Sequence, residues 1–336
     1  MERRRFLQSS AFVTALAVEA ALDWRDTPAE AFTGRETGTS AVTDADVERL
    51  QQARDEFRHL DHVHGGGYAL SWLEGYLHTE VAPLLQGRYS DSVGGDLFVA
   101  AATLTDMAGW MAMDVGHQGL AQRFYTQAAG LAKHAGDSAY GAYVLGNLAT
   151  QALFVGQTRT AVRLARSARN AGGRAIPPTL TARITTTEAR AHALIGDAHE
   201  TRRTLQIAER AMARSDPAHD PDWLGVFTPA HYSGSVMHAL RDLGDAKTAA
   251  RHAADAMDLP AANARTRALH TVLHATVLAE RGDLDGAVEI ARPVQQAAAG
   301  IKSQRLDQRL DEFAERLAPH RSAPVVAAYL EANQDQ

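Results

Sequence analysis

The sequence predicts an all-α protein, an α-solenoid of about five to six helical hairpins with an N-terminal helical extension. Three observations lead there. Ala, the strongest helix former, supplies 65 of 336 residues, against 21 aromatics. Five glycines in short turns, Gly116, Gly156, Gly196, Gly244 and Gly282, follow one another at intervals of 40, 40, 48 and 38 residues; a period of this size marks stacked units of supersecondary structure. Positions counted from these glycines then fall into columns. Five residues on stand Ala121, Ala161, Thr201, Ala249 and Ala287; twelve residues on stand Ala128, Ala168, Ala208, Ala256 and Val294.

Three segments are expected. Residues 1–44 form an N-terminal helix and linker, 45–95 a helical cap with a glycine-rich turn, and 96–336 the repeat array. The start MERRRFL, with a short apolar run from Ala11 to Val18, reads as the basic first turn of an amphipathic helix. Its Arg3-Arg4 pair is also compatible with a twin-arginine export signal. Residues 24–45 are rich in Thr, Gly, Asp and Glu, as a linker is. Thr43-Asp44-Ala45-Asp46 opens a helix with Val47, Leu50, Ala53 and Phe57 on one face. Three glycines, Gly65 to Gly67, then require positive φ or close backbone contact, and a further helix runs to about Leu85.

Within the array each turn glycine ends one helix, and a polar residue such as Asp197, Asp245 or Asp283 starts the next. Apolar positions at helical spacing precede each glycine: Leu97, Ala101, Leu104 and Met111 in the first unit, Leu145, Leu148 and Leu153 in the second. Pro177-Pro178 and the group Pro217, Pro221 and Pro229 break helices between hairpins. The 48-residue interval reflects a loop inserted near 215–224. This pattern resembles tetratricopeptide repeats, lengthened by longer helices. Such arrays line a concave groove with the first helix of each pair and bind partners in it. Candidate contacts among the polar and aromatic residues on those helices are Trp110, Asp114, Tyr143, Asn147, Gln151, Thr187, Arg190, His231, His238, His270 and His274. Asn147 and Gln151, four apart, are positioned to grip a peptide backbone.

Two stretches carry a second resemblance. Phe57-Arg58-x-Leu60-Asp61 with Gly65-Gly66-Gly67, and Gly109-Trp110-Met111-Ala112-x-Asp114 with Gly119-Leu120-Ala121-Gln122-Arg123, look like the C-terminal region of actinobacterial regulators of the Xre type. Those proteins join a helix-turn-helix DNA-binding domain to a tetratricopeptide-like sensor or dimerisation region. The resemblance spans most of residues 45–300 and does not include the DNA-binding domain. It implies a stand-alone regulatory sensor in the cytoplasm, possible as a homodimer, that binds a peptide, small molecule or protein.

Other chemistries find less support. Without cysteine there is no disulfide, thiolate metal site or cysteine nucleophile. The net charge of -6 with no basic block argues against direct nucleic-acid or anionic-membrane binding. No 18-residue apolar stretch is present. P-loop, dinucleotide and nucleophile-elbow patterns are missing, and no cofactor is expected. The densest cluster is Asp61-His62-x-His64, where His62 and His64 on an extended segment could chelate a metal. Hence an alternative reading is a repeat-scaffold enzyme, metal-dependent through His62 and His64; a second is an exported scaffold.

Overall fold

The computed structural model describes Ala17, Gly38 and residues 40–260 and 263–334. The Arg3-Arg4 start and most of the expected linker lie outside the described residues. Among the described residues the fold is all-helical, and its one extended feature is an isolated bridge between Ala41 and Arg88. No described helix is long and apolar enough to cross a membrane.

Helix α1 (Asp44–His64) begins where Thr43 donates its N–H to Asp46 Oδ2 at 2.9 Å. It runs seven residues beyond Phe57 and stops at Gly65, whose φ is +83°. Helix α2 (Gly66–Tyr76) passes through one wide turn at Leu77–Val81 into the short α3 (Ala82–Leu85). Pro83 has no N–H to give to the regular ladder, which accounts for the local change of winding.

The helical pairs then follow in order. They are α4 (Asp91–Asp114) with α5 (Gln118–His134), α6 (Ser138–Phe154) with α7 (Thr158–Gly172), and α8 (Pro178–Ile195) with α9 (Ala198–Met212). Helix α10 (Pro229–Asp242) pairs with a helix broken into α11 (Ala246–Ala249) and α12 (Ala253–Ala256). Helix α13 (Ala264–Glu280) pairs with α14 (Leu284–Ala297), and α15 (Gln304–Leu317) with α16 (Pro324–Gln334). All five turn glycines have φ between +76° and +87°. At Gly196 the chain is left-handed, Asp197 returns its N–H to His192 O at 3.0 Å, and the Asp197 carboxylate accepts the Glu200 N–H at 3.0 Å. One Gly-Asp pair therefore closes α8 and opens α9. Ala121, Ala161, Thr201, Ala249 and Ala287 are fully buried, as are Ala128, Ala168, Ala208 and Ala256. With methyl-sized side chains at these seams, neighbouring helices approach closely.

The core does not divide at the expected 95/96 boundary. One apolar cluster joins Leu50 and Leu73 of the cap to Leu97, Leu104 and Leu145 of the array, whereas separate clusters form around Met237 and around Phe313. Segments far apart in the sequence also meet. Lys302 donates its N–H to His64 O at 2.8 Å, and Gly67 donates to Lys302 O at 3.1 Å. Arg265 forks onto Asp61 with two bonds of 2.6 Å and reaches Asp114 Oδ2 at 3.1 Å. Asp114 further accepts from Gly66 N–H at 3.0 Å and Ser303 Oγ at 2.8 Å. Burial alone would raise the Asp114 pKa; Arg265 and Arg305 outweigh it and hold the carboxyl below its ordinary value.

Candidate functional site

Beside this junction opens a cavity of about 650 Å³. Its walls are the first helices of the pairs, α4, α6, α8, α10 and α13, together with α1 and α15 and the loop that follows α9. That loop, the insertion behind the 48-residue interval, brings in Trp223. The Trp223 ring lies 5.1 Å from both the Tyr140 and Tyr143 rings, edge-on to Tyr140. Arg183 sits 4.2 Å over the face of Tyr143, a cation–π contact.

Of the residues expected in a groove, Trp110, Tyr143, Thr187, Arg190, His231, His238 and His270 line this cavity. The other four do not. Asp114 is spent on the closure with Arg265. Asn147 and Gln151 are fully buried and cannot grip a peptide backbone: Asn147 donates to Asp106 at 2.6 Å and accepts from Arg183 at 2.5 Å, and Gln151 donates to Gln118 O at 2.6 Å. His274 is half-buried off the cavity wall, although His270 is on it.

The His62 and His64 chelate also fails on geometry. Because α1 continues through His64, the two rings are separated by about 200° around a helix and do not share a face. His62 faces the cavity while His64 stacks on Tyr68 at 4.4 Å. No group of three or more His, Asp or Glu able to hold a metal exists among the described residues.

Sequence reasoning missed most of the charge. The cavity wall carries Arg54, Arg58, Arg183, Arg190, Arg265, Arg305 and Arg309 against Asp61, Asp106 and Glu312, inside a chain of net charge -6. Several of these arginines are neutralised nearby. Arg190 pairs with Asp242 at 2.8 Å, Arg54 and Arg58 with Asp55 at 2.8 Å, and Arg265 with Asp61. Arg305 places Nε 2.9 Å from Asp114 Oδ1, without hydrogen-bond alignment, and lies 5.3 Å over Trp110. Arg183 and Arg309 have no carboxylate within ion-pair distance among the described residues. Their polar contacts are the neutral Asn147 and, at 3.0 Å, His238 Nε2.

Burial pushes the cavity histidines toward the neutral form. His231 falls to about 3, through burial first and then through the charges of His270, His62, Arg183 and Arg265. His238 lies well below its ordinary value through burial and the neighbouring Arg190 and Arg309, and His62 and His270 are lowered mainly by burial. Arg309 is brought down to about 10 by burial and by Arg190, so it remains a cation at neutral pH. Asp106 moves the other way: burial raises it to about 7 against the opposing pull of Asn147 and Arg183. The wall therefore offers fixed cations, neutral imidazoles that both donate and accept, and a carboxyl poised between its two forms.

No family model matches the chain, and no curated protein matches it in sequence.

Proposed function

We propose that this protein is a regulatory ligand-binding protein whose ligand occupies the central cavity. The supporting observation is that Trp110, Tyr143, Thr187, Arg190, His231 and His270, from five different helices, line one cavity. Convergence of aromatic and polar side chains from separate elements is the usual build of a ligand pocket, and about 650 Å³ suits a small molecule or a few residues of peptide. In this reading the paired helices form a tetratricopeptide-like solenoid, with α1 and α15 closing its groove. The protein would then act as a stand-alone cytoplasmic counterpart of the sensor region of Xre-type regulators, with ligand occupancy read by a partner.

The test is to fill the cavity from within. Ser235 lines it from α10, and Ser235→Trp places an indole in the space without touching an ion pair. Ligands found by native mass spectrometry of the purified chain, or by a metabolite screen on thermal stability, are expected to lose at least tenfold in affinity in the variant. Ligands that bind Ser235→Trp as well as the parent would show that binding takes place elsewhere.

A further inference from the structure

We infer that the cavity ligand is a small organic anion, a carboxylate or phosphate-type group on an aromatic or apolar body. Arg183 and Arg309 take the charge, and the Tyr143 and Trp223 rings take the body. The inference rests on the cavity-ligand reading above and adds its chemical class.

A guanidinium carries five N–H donors in a fixed fork and no acceptor. Arg183 gives one to Asn147 and Arg309 one to His238, and the described residues provide neither with a carboxylate. Every other arginine on the wall is matched by a nearby acid. Asp106 reaches Arg183 only through Asn147, and Glu312 and Asp242 act on Arg309 only beyond ion-pair distance. Both cations are therefore left under-compensated in a partly desolvated space, and a charge-assisted bond to an incoming oxyanion offsets that cost. The position of the two is also coherent. Both guanidiniums line the same cavity, Arg309 against His238 Nε2 at 3.0 Å and Arg183 over Tyr143. Trp223 stands 5.1 Å from the Tyr143 ring, leaving an apolar wall next to Arg183. A neutral His231, whose Nδ1 is met by the Thr228 hydroxyl at 2.9 Å, can donate from Nε2 to an oxyanion without adding charge, whereas His270 gives its N–H to Ala256 O at 2.7 Å. A cationic ligand would meet repulsion here, and a neutral one would leave both forks unsatisfied.

The experiment titrates the purified full chain by calorimetry and tryptophan fluorescence with five probes. These are 3-phenylpropionate, phenylphosphonate, inorganic phosphate, 3-phenyl-1-propanol and 3-phenylpropylamine. Both aryl anions are expected to bind one site per chain at least tenfold more tightly than the alcohol or the amine. The ratio between the two anions tells carboxylate from phosphate-type preference, and inorganic phosphate, lacking the body, binds more weakly than phenylphosphonate. Arg309→Gln and Arg183→Gln should each weaken the aryl anions about tenfold or more, and the anions by a clearly larger factor than the alcohol. If either Gln variant fails to fold by circular dichroism, Arg309→Lys and Arg183→Lys keep the charge but lose the fork, and a smaller loss of anion affinity is expected. Equal binding of alcohol and anions, anion binding indifferent to both arginines, or no aryl-anion binding at all overturns the inference. Trp223→Ala separates the two levels. If it weakens the alcohol and the anions alike while charge makes no difference, the cavity still binds ligand and only its anionic character is refuted.

Discussion

Asp106 is 4% exposed, accepts a 2.6 Å bond from Asn147 and titrates at about 7 because burial disfavours its charge. In the unfolded chain the same carboxyl titrates near its ordinary 3.8. The folded form therefore holds a proton that the unfolded form releases between about pH 4 and pH 7. Asp106 favours folding below that window, and the contribution is lost as pH rises through it. Asp106→Asn keeps the shape and removes the charge, so the variant should gain on the parent as pH rises from 5 to 8, by up to a few kcal/mol. Thermal melts at matched ionic strength read this directly, and a pH-independent difference would show that the carboxyl is not what titrates. Asp106 was legible by spacing, since Thr103, Asp106, Met107 and Trp110 share a helix face, as do Arg183, Thr187 and Arg190. Asn147 and Gln151 obey the same spacing with Tyr143, yet they are interior. Helix α6 is covered on nearly all sides from Tyr140 to Ala149, and a periodicity of apolar and polar residues points outward only when one face meets solvent.

At the scale of elements, the glycine turns were the clearest part of the sequence. A left-handed backbone is one that only glycine adopts without strain, so each such site leaves a letter that can be read. Gly196, at φ +85°, should cost about 1–2 kcal/mol when changed to Ala. Gly130 lies inside α5 with open space around its Cα, and Gly130→Ala should stabilise by about 0.5–1 kcal/mol. Urea denaturation of the two variants gives opposite signs if conformation rather than packing governs these sites. A further turn, Gly136-Asp137 between α5 and α6, has the same construction: φ is +74° and Asp137 accepts the Tyr140 N–H at 2.8 Å. It escaped the 40-residue count because it joins neighbouring hairpins rather than the helices of one. The extent of α1 was also underestimated, and with it the reading of His62 and His64. His59, Asp61 and His62 are weak helix formers, and what holds the last two turns is tertiary: Asp61 in the Arg265 fork and the Lys302 amide on His64.

The closure belongs to the whole molecule, and nothing periodic announces it. Asp61 and Arg265 are separated by 204 residues, while repeat analysis compares each unit with the next. Arg265, Asp61 and Asp114 are 7%, 6% and 1% exposed. Arg265→Ala leaves Asp61 buried without its cation and Asp114 with Arg305 alone, and should destabilise by roughly 3–5 kcal/mol. Arg49→Ala, which breaks an exposed pair with Asp46, should cost at most about 1 kcal/mol. Hydrogen exchange should show the amides of Gly67 and Lys302 losing protection together in Arg265→Ala, because each reports the same junction. Comparable small losses in both variants would mean that the junction is held by apolar packing instead. The junction also constrains how the protein is made. Arg265 and Lys302, which hold the end of α1, lie some 200–240 residues downstream, and at ribosomal speeds of about 5–20 residues per second they emerge roughly 10–50 seconds after it. During that interval α1 can pack on α2 and α4, but Asp61 is without its guanidinium. The cavity walls are therefore complete only after α13 and α15 have left the ribosome.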